Sequence, residues 1–148
     1  MKLKKSLFTL FISSIVVLGI AIMTNNFVQA IPPKANLLPS DYETGISWSE
    51  AVKLNKPIVV NFYVDWCGYC KRFAPTLENL RKEYKSKYSF VLVNAEDPAN
   101  QKLVKEYNIS GFPSLYLVNP KNNTKEFVNH SLYSQPELLK KELDKFLK

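Results

Sequence analysis

Between residues 58 and 64 the chain reads Ile-Val-Val-Asn-Phe-Tyr-Val, an almost unbroken apolar and β-branched run. Such a run fits a central strand covered on both faces, because neither face meets water. The period then changes. Phe73, Leu77, Leu80 and Tyr84 recur at spacings of three and four, which predicts an amphipathic helix from Cys67 to about Lys85. Pro75 lies inside it and should kink it, since proline removes one backbone donor and crowds the preceding turn. Phe90-Val91-Leu92-Val93 predicts a second buried strand, and Leu103, Val104 and Tyr107 return to helical spacing. Ser114 to Val118 reads as a strand, Pro120-Lys121-Asn122-Asn123 as a hairpin turn, and Lys125 to Val128 as the strand after it.

Two helix starts are marked. Ser47-Trp48-Ser49-Glu50 has capping-box spacing and predicts a short helix reaching about Leu54, before Pro57. Ser134-Gln135-Pro136-Glu137 should cap a last helix with apolar Leu138, Leu139, Leu143, Phe146 and Leu147. The order helix, strand, helix, strand, helix, strand, strand, helix implies an α/β fold. A parallel sheet covered by helices, with an antiparallel hairpin at its end, is expected.

Lys2, Lys4 and Lys5 precede Leu7 to Met23, seventeen residues without a charge. A basic start before an apolar run directs export, because the lysines stay inside while the apolar stretch enters the membrane. Val28-Gln29-Ala30 supplies small residues at the spacing a signal peptidase prefers, while the run is also just long enough to span. Residues 1–30 therefore read as a signal peptide or a membrane anchor through residues 7–23, with a slight lean toward the anchor. The location expected is periplasmic, or the extracytoplasmic face of a membrane. Residues 31–45, with Pro32, Pro33 and Pro39 and no apolar period, read as a tether, leaving 46–148 as one domain.

The net charge of +7 changes little in this picture. Beyond residue 30 there are 17 basic and 13 acidic residues, interleaved along 77–87 and 137–148 as on solvated helix faces. No basic stripe for nucleic acid is present, and none is expected as a partner.

The two cysteines matter more. Cys67 and Cys70 are the only ones, two residues apart, directly after a buried strand and at the start of a helix. A bridge over so short a loop removes little chain entropy and is a poor brace. For chemistry the placement is good. Residues three apart share one helix face, within disulfide reach, so a bridge can open and close with little backbone movement. Cys67 faces unsatisfied backbone N–H groups and the positive end of the dipole, which favour thiolate, and Lys71 and Arg72 add positive charge. Cys67 is thus expected to be the nucleophile and Cys70 the resolving thiol. A structural zinc site needs four ligands, and a cysteine hydrolase needs a nearby histidine base. With His130 the one histidine, far along the chain and read as a solvent-facing polar residue, no metal or cofactor is expected.

Asn61-Phe62-Tyr63-Val64-Asp65-Trp66-Cys67-Gly68-Tyr69-Cys70-Lys71, followed by Ala74-Pro75, resembles the active-site strand and helix of the thioredoxin family. Ile109-Ser110-Gly111-Phe112-Pro113-Ser114-Leu115 resembles that family's cis-proline loop. The resemblance covers about residues 47 to 147 and implies a thioredoxin-like fold, with a mixed central sheet flanked by helices. It implies that Pro113 is cis against the cysteine pair, that Phe112 offers its backbone to a substrate peptide, and that Trp66 shields the site edge. Gly68 and Gly111 are expected where backbones approach closely.

The resemblance also carries departures. Asn61 stands where thioredoxins place a buried acid beneath the resolving cysteine, and Leu92 where a neighbouring strand carries a lysine. Gly68-Tyr69 replaces their Gly-Pro and also resembles the active site of periplasmic disulfide isomerases. The function expected is reduction of disulfides in exported proteins, with a membrane electron donor restoring the dithiol. The alternatives are a disulfide oxidase or isomerase, and a redox-inert peptide-binding module.

Overall fold

A strand that is apolar on both faces needs cover on both sides, and β1 (Ile58–Tyr63) has it, with all six residues buried. The computed structural model describes residues 37–42 and 45–148, so the expected signal or anchor of residues 1–30 lies outside the described residues. Around β1 stand β2 (Ser89–Asn94), β3 (Ser114–Asn119) and β4 (Thr124–Phe127), in the order β2-β1-β3-β4. The helices are α1 (Trp48–Lys53), α2 (Gly68–Tyr84), α3 (Gln101–Glu106) and α4 (Pro136–Phe146).

Side chains alternate across a strand, and the two faces of β1 feed two cores. Ile58, Val60 and Phe62 meet Ala51 of α1, Leu103 of α3, and Tyr107. Val59 on the other face meets Phe73, Leu77 and Leu80 of α2, with Leu139 and Leu143 of α4. The sheet is therefore a filling between two helix pairs. Tyr88 ties the last helix down, its hydroxyl donating to the Leu143 carbonyl at 2.7 Å.

Helix α2 runs from Gly68 to Tyr84 with Pro75 inside it, whose absent N–H leaves the Lys71 carbonyl without its helical donor. One local expectation changes. Helix α4 begins with Pro136 in the first turn, but Gln135 occupies the cap and no side chain caps it. Gln135 instead donates its side-chain amide to the Ser131 carbonyl at 2.8 Å. Ser47 does cap α1, accepting from the Glu50 N–H at 3.3 Å.

A larger change concerns direction. β2 pairs parallel with β1, but β3 pairs antiparallel, Phe62 opposite Ser114 and Ile58 opposite Val118. Alternating strands and helices suggested a parallel run closed by an antiparallel hairpin; the sheet found is the mixed one that the family resemblance implied. The chain after α3 instead enters the sheet on the far side of β1, from the end where β1 finishes.

Of the stretch 31–45 expected as a tether, residues 37–42 and Gly45 are described, and they lie against the domain. Tyr42 is buried, Gly45 bridges to Val91, and the Ile46 N–H donates to the Phe90 carbonyl at 3.0 Å. Gly45 has φ +83°, and a Cβ there would collide with the Phe90 carbonyl oxygen. Gly68 and Gly111, the two expected to be crowded, have room for a Cβ and carry no positive φ. Gly45→Ala is therefore expected to destabilise the protein by about 1–3 kcal/mol. Gly111→Ala should leave the unfolding free energy measured in urea within about 0.5 kcal/mol of wild type.

Candidate active site

Because β1 ends where β3 begins, the turn after β1 and the loop before β3 meet. The first carries Cys67 and the second Phe112 and Pro113. Cys67 is the N-cap of α2, its Sγ accepting the Cys70 N–H at 3.2 Å. The Cys67 thiol also lies 3.5 Å from the Phe112 carbonyl oxygen, to which it donates. The Phe112–Pro113 peptide is cis. Both thiols are free and buried, one helical turn apart. Two thiols so placed can exchange with a disulfide and close on each other without unwinding the helix.

Their surroundings differ. Burial pushes the Cys70 thiol up to about 12, and its hydrogen bond with Cys67 acts in the same direction. Asn61 lies between Val59 and Tyr63 on β1, and Leu92 is its partner on β2. Leu92 packs both on the α2 core and on the cluster holding Cys67 and Cys70. The position read as a departure from the thioredoxin pattern thus lies next to the cysteine cluster, and it is buried. The Asn61 side-chain oxygen has no hydrogen-bond partner. Asp65, two residues before Cys67, has both carboxylate oxygens engaged by Ser40, from the N–H at 3.0 Å and the hydroxyl at 2.8 Å.

Trp66 and Tyr69 flank the pair and are largely exposed, at 69% and 71%. The Trp66 indole donates to Glu96 at 3.0 Å and meets the Phe112 ring edge-on. The Arg72 guanidinium lies over the Tyr69 ring, 4.5 Å from its centroid. Beside Pro113 opens a groove of about 510 Å³, walled by Tyr69, Arg72, Phe73, Pro113, His130 and Tyr133 among others. His130 is exposed, as expected, but its ring packs against Phe127 and Tyr133 at the groove wall. Nothing in the sequence placed His130 there; the path of the chain after β4 does. Among the described residues no group of three or more His, Cys, Asp or Glu side chains could hold a metal ion.

With this geometry in view, comparison with known sequences is decisive. The model of the Thioredoxin family matches residues 41–144, more than half of the chain. The chain belongs to the thioredoxin family. Protein disulfide isomerase-like 2-2 of Oryza sativa subsp. japonica is 36% identical over 100 residues, 68% of this chain and 26% of that protein. The chloroplastic thioredoxin-like protein HCF164 of Arabidopsis thaliana is 30% identical over 80 residues, 54% of this chain and 31% of that protein. The matches thus span about a quarter to a third of these curated relatives. The thioredoxin Deadhead of Drosophila melanogaster shares the fold, with a TM-score of 0.53 at 23% identity over 66% of this chain and 86% of that one.

Two predictions follow from the unequal environments of this thioredoxin-family pair. In the reduced protein at pH 7, iodoacetamide should modify Cys67 well before Cys70, because a thiol pushed up to about 12 holds almost no thiolate. Peptide mapping after short labelling checks this, and early label on Cys70 would reverse the assignment. The second concerns the proton Cys70 must lose. Asn61 cannot accept it, so closure of a Cys67-linked mixed disulfide should be slow at pH 7 and rise steeply toward pH 10. Asn61→Asp should speed closure at pH 7 by about tenfold or more. It should also cost about 1–3 kcal/mol of stability at pH 7, recovered at acid pH where the buried acid is protonated. Stopped-flow release and urea unfolding across pH read both effects; an unchanged closure rate at every pH would assign the proton to another group.

Proposed function

We propose that this protein is a thiol–disulfide oxidoreductase that reduces disulfides in exported proteins through Cys67 and Cys70. The Cys67 thiolate attacks one sulfur of the substrate disulfide, forming a new S–S bond, and the other substrate sulfur leaves as a thiolate and takes up a proton. Cys70 then loses its proton and attacks Cys67 Sγ, releasing the second substrate thiol and leaving the Cys67–Cys70 disulfide. One substrate disulfide is reduced and one dithiol oxidised. An external dithiol donor, in our reading a membrane protein, resets the pair.

The observation that carries this reading is Cys67 Sγ at the cap of α2, held by the Cys70 N–H and lying against Phe112. Trp66, Gly68, Tyr69, Phe112 and Pro113 then form the surface that receives the substrate. Export rests on the lysines and apolar run of residues 2–23. The reductive direction rests on the thioredoxin pattern around the pair. The relatives named for disulfide isomerase favour a second reading, in which the protein reshuffles disulfides.

Equilibration of the pair with glutathione separates the directions. A reductase should lie near the thioredoxin value of about −270 mV, isomerases near −180 mV and strong oxidants near −120 mV. With dithiothreitol as donor, the wild type should catalyse reduction of insulin and Cys67→Ser should not. A potential near −120 mV would assign the opposite direction.

A further inference from the structure

We infer that the groove beside Pro113 selects substrate segments that carry a carboxylate next to a bulky apolar side chain, with Arg72 reading the carboxylate. This rests on the proposed exchange at Cys67 and names the substrate it favours.

The floor of the groove is aromatic. Phe73 and Tyr133 are stacked with centroids 4.5 Å apart and both are buried. The Tyr133 hydroxyl is engaged inside the fold, accepting from the Leu115 N–H and donating to the Val128 carbonyl. Tyr133 therefore offers the groove a ring rather than a polar group, and a bulky apolar side chain fits that floor.

The charge at the groove is one-sided. Arg72 is a lining side chain with a fixed positive charge, and no acidic residue lines the groove. Its guanidinium is steadied over the Tyr69 ring, and none of the ion pairs among the described residues includes it. Asp65 and Glu96, the carboxylates beside Trp66, are engaged by Ser40 and by the Trp66 indole. An arginine held in place, unpaired and beside an apolar cavity is arranged for fork-like recognition of a carboxylate.

The occupant is a peptide rather than a small thiol. A second cavity of about 260 Å³, lined by Gly111, Ser114 and Phe127, shares His130 with the first. The first groove alone, at about 510 Å³ and running from Tyr69 to Phe112, whose carbonyl touches Cys67, has more room than one side chain needs. His130 stands in the wall of both cavities, packed on Phe127 and Tyr133.

The test uses the full chain with two peptide disulfides, identical except that a Phe-Glu pair beside the cysteine is replaced by Phe-Lys. The wild type should favour the glutamate peptide by about tenfold in kcat/KM at low salt, with the preference shrinking in 0.5 M NaCl. Arg72→Glu should reverse the order. Each ratio is taken within one protein, so a general change in activity cancels. Turnover of bis(2-hydroxyethyl) disulfide, which carries neither group, reports on the exchange reading alone. If the wild type turns it over yet shows no preference, or if Arg72→Glu keeps the wild-type order, the assignment of Arg72 is overturned. If it is not turned over, the exchange reading fails, and affinities for serine versions of the two peptides decide the groove by the same ratio.

Discussion

The antiparallel pairing of β3 with β1 is the constraint on which the site depends. β1 delivers Cys67 at its C-terminal end, and β3 begins at that same end with Ser114 opposite Phe62. Phe112 and Pro113 therefore fall beside the cysteine without any long excursion of the chain. A parallel β3 would have started at the Ile58 end, a strand length away. The contact between Cys67 Sγ and the Phe112 carbonyl is thus a product of topology.

Burial then makes the two thiols unequal. The first turn of α2 places Cys67 at the cap, where a backbone N–H meets its sulfur, and Cys70 over the sheet beneath it. The interior that covers Cys70 is apolar, with Leu92 at the edge of the cluster, so the charged form of that thiol is penalised. Asn61 is polar but does not titrate, and its oxygen stays unpaired. The chain keeps a hydrogen-bonding group at this position without the charge an acid would bring. In the proposed exchange, the proton of Cys70 therefore has to leave by another route.

The segment before α1 belongs to the same frame. Gly45 and Ile46 cover the β2 edge, and Ser40 holds Asp65 two residues from Cys67. Exposed strand edges invite pairing with other chains, and a single bridge with one backbone hydrogen bond already occupies part of this one. On the opposite edge β4 carries Lys125 and Glu126, charged residues that discourage pairing.

Much of this was legible from one dimension. The run from Ile58 to Val64 could only be a doubly covered strand, and the three-and-four spacing after Cys67 could only hold one face of α2 inward. Two cysteines one turn apart at a helix start marked the dithiol, because local helix geometry sets both their separation and the donor at the cap. Local patterns carry no direction for strands distant in sequence, so the antiparallel entry of β3 was decided only by tertiary structure. The same holds for the groove. Arg72 and His130 are 58 positions apart, and neither is marked by periodicity. They share a wall because the chain leaves β4 toward the end of α2 that bears Tyr69. Sequence determined the strands, the helix and the dithiol through short-range periodicity; packing across the sheet alone decided what the dithiol faces.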